Sequence, residues 1–220
     1  MKNTDTGSGR TRLEVALRDA DPLTQGEAAR LLGELGDPRS VGPLAAYVTE
    51  SRHYTKTLGI EALRRIGDRR AADPLRRLAE RPNVPDDWYW YGFRSVRAAA
   101  ALALLEWGDP LGAPWLEERA DAGDVVLYVW YAPAILRLPD EPAAARRLKA
   151  RLTPSVLCGE EGSAAPAADP ARWAMIAEAL ETIGGPAAAE RLRRLTGHFS
   201  RYVRARAICL LYTSDAADDL

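Results

Sequence analysis

The chain is poor in the side chains that carry most enzyme chemistry. Its 220 residues include two histidines and two cysteines. No Cys/His spacing suits zinc, no glycine-rich loop suits a phosphate, and no nucleophile elbow is present. Cys158 and Cys209 imply no disulfide framework, so a reducing compartment, the cytoplasm, is the expectation. No run approaches the ~18–20 apolar residues of a membrane span. Residues 1–10, MKNTDTGSGR, lack the apolar segment of a signal peptide and read as a disordered tail. Charge of one sign is missing too. Thirty Lys and Arg stand against 31 Asp and Glu, a formal net charge of −1, so nothing steers the whole molecule towards nucleic acid or an anionic membrane. The expectation is a protein that is not an enzyme, with no catalytic residue, metal or cofactor to name.

What the chain does have is periodicity. In EAARLLGELGDPRSVGPLAAYV, residues 27–48, Ala28, Leu31, Leu32 and Leu35 fall at i, i+3, i+4 and i+7, the apolar stripe of a helix. Gly36 suits a left-handed helix end, because it has no Cβ to clash. Asp37 can cap the next helix, and Pro38 suits a first position that needs no N–H. The same corner returns as Gly67-Asp68, Gly108-Asp109-Pro110, Pro139-Asp140 and Gly184-Gly185-Pro186. Counted at residues 37, 68, 109, 140 and 185, the steps are 31, 41, 31 and 45 residues. Six before the corner sits an alanine in every repeat but the first, which has Leu31, and a large apolar residue sits five before each: Leu32, Leu63, Leu104, Ile135 and Leu180. One helical hairpin cannot bury its own apolar faces, but a row of them can.

The runs VRAAAALALLEWGDP from Val96 and EAARLLGELGDPRSVGPL from Glu27 resemble the short bacterial HEAT repeat also found in phycobilisome lyases. The resemblance covers roughly residues 11–208. It implies an all-α protein, a right-handed α-solenoid of about five helical-hairpin repeats with partial repeats at both ends. It says little of activity, because such arrays serve scaffolds, enzymes and nucleic-acid binders alike. His53 precedes Tyr54 and His198 precedes Phe199, so the His-Glu pairs of the HEAT-repeat di-iron hydroxylases are absent. Two insertions interrupt the array, at 81–93 and 153–172; the second is rich in Gly, Pro, Ser and Ala and reads as a solvated loop. Pro43 and Pro74, each six beyond a corner, predict second helices that start late or kink. Val203, Arg204 and Ala207 copy Val96, Arg97 and Ala100, so a sixth repeat begins near 201, with its corner expected near 216. Residues 209–220 read instead as CLLYTSDAADDL, which resembles a translated sequencing adapter and is expected to be non-native.

Three features are candidates for function. Trp88, Tyr89, Trp90 and Tyr91 crowd the first insertion, and Tyr128, Trp130 and Tyr131 lie on the first helix of repeat four. Large rigid faces with a polar handle suit a partner-binding groove, and packing on the array is the plainer alternative. The second helices carry Arg76, Arg77, Arg146, Arg147, Arg191, Arg193 and Arg194, a stripe that could follow a phosphate backbone. Ala45-Ala46 and Glu117-Glu118 interrupt that stripe at equivalent positions. Cys158 sits beside Glu160 and Glu161, which oppose a reactive thiolate. The expectation is a scaffold or adaptor that binds an unknown protein partner on its concave face or aromatic insert. The alternatives are a nucleic-acid binder using the basic helices, as in HEAT-like glycosylases, and a bilin lyase or lyase chaperone, carried by the resemblance alone.

Overall fold

A computed structural model describes residues 5–51, 53, 55–80, 95–121, 125–140, 143–158, 170–198 and 200–218, leaving aside the side chains of 5–7, 125–130, 170–172 and 213–218. Thirteen α-helices and no strand occupy the described residues. They are α1 (Asp5–Ala16), α2 (Pro22–Leu35), α3 (Val41–Glu50), α4 (Lys56–Ile66), α5 (Ala72–Glu80), α6 (Val96–Glu106) and α7 (Ala113–Asp121). Then come α8 (Val125–Leu136), α9 (Ala143–Arg151), α10 (Pro154–Cys158), α11 (Pro170–Ile183), α12 (Gly185–Leu195) and α13 (Arg201–Asp218). The chain divides into two compact units, Met1–Trp115 and Leu116–Leu220, with the boundary inside α7. This is the all-α hairpin architecture that the corner spacing predicts.

The first three corners are built alike. Gly36, Gly67 and Gly108 take φ of 64°, 72° and 75°, the left-handed region that a Cβ makes costly. The next residue caps. Asp37 accepts the Arg39 N–H at 2.9 Å, Asp68 that of Arg70 at 3.0 Å, and Asp109 that of Leu111 at 3.0 Å. Each cap opens a single 3-10 turn, Pro38–Ser40, Arg69–Ala71 and Pro110–Gly112, and the second helix follows it. Pro43 and Pro74 therefore lie in the first turns of α3 and α5, where an N–H has no intrahelical acceptor to lose. The late start is real. At the fifth corner Gly184 and Gly185 both take positive φ and no carboxylate caps α12.

In the first unit α2, α4 and α6 form one row of first helices, and α3 packs on both α4 and α5. The large residue five before each corner lies at the centre of the packing in both units. Leu32, Leu63, Leu104 and Leu180 are 0% exposed and Ile135 1%. Complete burial of one such side chain contributes roughly 1.5–3 kcal/mol. The small residue beside it sets helix spacing. A Cβ built on Gly33 of α2 would lie 2.7 Å from the Ala62 Cα of α4, so the two backbones meet with nothing between them. Repeat one departs from the predicted stripe: Leu31 is 36% and Leu35 48% exposed. They lie on the face of α2 turned away from α4, and the buried face runs through Gly26, Ala28, Ala29, Leu32 and Gly33.

In the second unit α8, α11 and α13 form the row of first helices, with α9 against α8 and α12 against α11 and α13. Three boundaries differ from those read in the sequence. Residues 5–10 belong to α1 rather than to a loose tail, and Arg10 pairs with Glu14 and, at 3.7 Å, with Asp37. The second insertion begins with a helix, α10, whose Leu157 is buried against its neighbours. α13 runs on to Asp218 through the expected sixth corner. The first insertion, 81–93, lies outside the described residues.

Candidate functional site

The aromatic candidates divide. Trp88, Tyr89, Trp90 and Tyr91 lie outside the described residues, as do the side chains of Tyr128 and Trp130 on α8. Tyr131 is 4% exposed, so its ring is part of the packing of α8 and offers no face to a partner.

The arginine candidates are mostly engaged by acids of this chain. Arg76 grips Asp109 with Nε at 2.7 Å and its terminal nitrogen at 2.6 Å, and also meets Asp73 at 2.8 Å. Arg147 meets Glu117 at 2.5 Å, and Arg151 meets Asp121 at 2.5 Å, two parallel bridges one helical turn apart between α7 and α9. Arg193 and Arg194 both turn to Glu190, at 3.5 Å and 3.3 Å. Arg77 and Arg146 are exposed, and Arg191 is half-buried. Burial pushes the Cys158 thiol up, against a downward pull from Arg191, which leaves it further from the thiolate. The structure therefore engages Arg76, Arg147, Arg193 and Arg194 of the seven with acids of this chain.

A different feature emerges between α1 and α3. α1 is the second helix of the incomplete leading repeat and α3 that of repeat one. An open groove of about 1010 Å³ lies between them, lined from Thr11 to Asp19 on one side and from Pro43 to His53 on the other, with Gln25 at its edge. Its N-terminal end is tied. The Ser40 hydroxyl donates to Glu14 at 3.0 Å, and Arg10 joins Glu14 to the Asp37 corner. Pro43, Ala46 and Tyr47 of α3 and Val15 of α1 supply the apolar lining. Tyr47 is 5% exposed and donates its hydroxyl to the buried Thr55 at 3.0 Å, so its ring is held in one place. Burial pushes its phenol pKa up, with the Thr55 contact pulling the other way. Val15 is 70% exposed, an apolar side chain left open to water.

The groove exists because of what is short. Where Arg147 and Arg151 bridge α9 to α7, no such bridge spans the open end of α1 and α3 among the described residues. Repeat one carries Ala45-Ala46 where repeat two carries Arg76-Arg77. The signal was visible as an interruption of the basic stripe, but an interruption does not announce a groove. At the open end the Gln25 amide donates to the Asp19 carbonyl at 2.6 Å, and its Oε1 is buried with no donor. The Asp19 carboxylate accepts the Asp21 N–H at 2.8 Å.

Among the described residues no three His, Cys, Asp or Glu side chains gather as a metal site, and no helix is long and apolar enough to cross a membrane. The family model for HEAT repeats matches residues 10–87, a stretch that holds both walls of the groove and supports reading the chain as a HEAT-repeat protein. No curated protein matches the chain.

Proposed function

We propose that this chain is a non-enzymatic scaffold that holds a segment of another protein in the groove between α1 and α3. HEAT repeats commonly serve as protein-interaction scaffolds. The observation that carries the reading is the groove itself, an apolar channel with Val15 open to water and a rigid Tyr47 in its lining. Such a surface matches the way a short segment docks its apolar side chains between helices. Protein is favoured over nucleic acid because Arg76, Arg147, Arg193 and Arg194 already meet carboxylates of this chain. A phosphate backbone would have to displace those acids.

The test places a photo-crosslinking residue at Ala46, in the groove, and at Arg65, which is exposed on α4. Expressed in its own host, the chain is expected to trap one protein from position 46 and not from position 65. Equal trapping at both positions, or none at 46, sinks the reading.

A further inference from the structure

The reading above leaves the chemistry of the occupant open, and the charges around the groove narrow it. Arg12 stands one turn before Val15 on α1 and Arg18 lies in the turn that follows the helix; both are exposed and line the groove. Neither meets a carboxylate among the described residues. Elsewhere on α1 the pattern is the reverse, since Arg10 is held by Glu14 and Asp37. The two positions are six residues apart in the chain, with Val15 midway between them. Across the gap the apolar surface of Pro43, Ala46 and Tyr47 faces them. Among the described residues that line the groove, the carboxylates besides the engaged Glu14 are Asp19, which accepts the Asp21 N–H and sits next to Arg18 in the chain, and Glu50 at the C-terminal end of α3. The α3 side therefore ends in negative charge, reinforced by the helix dipole.

We infer that the groove takes an acidic amphipathic segment of a partner protein, with an apolar side chain seated over Val15 and Ala46 and a carboxylate on each side of it meeting Arg12 and Arg18. Arginine forks match carboxylates two bonds at a time, which gives the segment a register along this wall of the groove. Glu50 repels a third carboxylate on the α3 side and so fixes which edge of the segment is acidic. The inference rests on the groove being the binding site.

The probe is a pair of fluorescein-labelled helical peptides. One carries two glutamates two turns apart with leucines between them, and the other has lysines in place of the glutamates. Fluorescence anisotropy with the full chain is expected to show the acidic peptide binding at least about tenfold tighter than the basic one, with the gap closing as salt is raised. In the double variant Arg12→Glu/Arg18→Glu the preference is expected to invert. Both side chains are exposed, and Arg12→Gln/Arg18→Gln, expected to abolish the preference without repulsion, guards against a folding artefact. Equal binding of the two peptides, a preference that survives charge reversal, or no binding of either overturns the inference. If position 46 still traps a protein in the crosslinking experiment, the groove reading stands and only the acidic partner falls. If position 46 traps nothing, both fall together.

Discussion

Where α2 meets α4, Gly33 and Ala62 bring two backbones together with no side chain between them. Where α7 meets α9, the long side chains of Glu117 and Arg147, and of Asp121 and Arg151, reach across the gap. The first kind of contact is steric, and it fixes one spacing because small residues admit only one. The second is electrostatic and largely solvated, with Arg147 56% and Asp121 62% exposed, so its strength is modest and its partners are exchangeable. The difference teaches where a fold of this kind can vary. First helices hold the array; second helices can lose a bridge and open a groove, as α1 and α3 do.

The largest effect should come from the first helices. Leu104→Ala removes a side chain that is 0% exposed and leaves a cavity, at a cost of about 2–5 kcal/mol read from urea unfolding. Arg147→Glu, which breaks a second-helix bridge, should move the urea midpoint far less. Equal losses for the two would erase the comparison.

A paired exchange sharpens it. Ala62 and Leu31 hold the same register position, six before a corner, but Ala62 is 1% exposed against Gly33 and Leu31 is 36% exposed. Ala62→Leu forces α2 and α4 apart and should cost about 1–3 kcal/mol or more. Leu31→Ala should cost under about 1 kcal/mol, because that side chain keeps much of its contact with water. Thermal melts of both variants decide it, and similar losses would show that repeat one is packed like the others.

That pair also marks how much could be read from residues alone. The large apolar positions and the three aspartate caps follow from local spacing, and Leu32, Leu63, Leu104, Ile135 and Leu180 are all buried as the register predicts. Which edge of a stripe faces water depends on whether a preceding first helix exists, and for Leu31 and Leu35 the described residues supply none. The arginine pairings were hidden for a similar reason. Arg147 finds Glu117 and Arg76 finds Asp109 some thirty residues away, beyond any helical period. The groove was hidden more deeply, because its α3 wall is built from residues as plain as Pro43 and Ala46 rather than from any residue that could be singled out as a ligand.

A smaller effect is expected at the corners. The Asp109 carboxylate caps the Pro110–Gly112 turn and holds Arg76 of the repeat before it, and its side chain is 9% exposed. Asp109→Ala should cost about 1 kcal/mol through the lost cap. A urea midpoint unchanged in that variant would mean that the 3-10 turn holds without its carboxylate.

The smallest effect is a dependence on pH in the second unit, and it compares a neutral contact with a charged one in the same helix pair. His198 precedes α13, and its Nδ1 accepts the Ser200 N–H at 3.1 Å while its ring lies 5.5 Å from that of Trp173 on α11. Partial burial, then the charge of Arg204, push its imidazole below the ordinary value of 6.5. The folded chain therefore binds this proton less readily than the unfolded chain. Its contribution to stability is present above pH 6.5 and is lost as pH falls from there through the lowered folded value. Protonation also turns Nδ1 from an acceptor into a donor, so the Ser200 contact is lost with it. Urea midpoints at about pH 7.5 and about pH 5.5 should differ, with the lower pH less stable, and the difference should shrink in His198→Gln. Trp173 reports the same event locally, since its emission should change over that interval while the chain remains folded. An unchanged midpoint, or an identical shift in the glutamine variant, would show that the His198 charge has no part in holding α13, whose Val203 and Ala207 are 0% exposed.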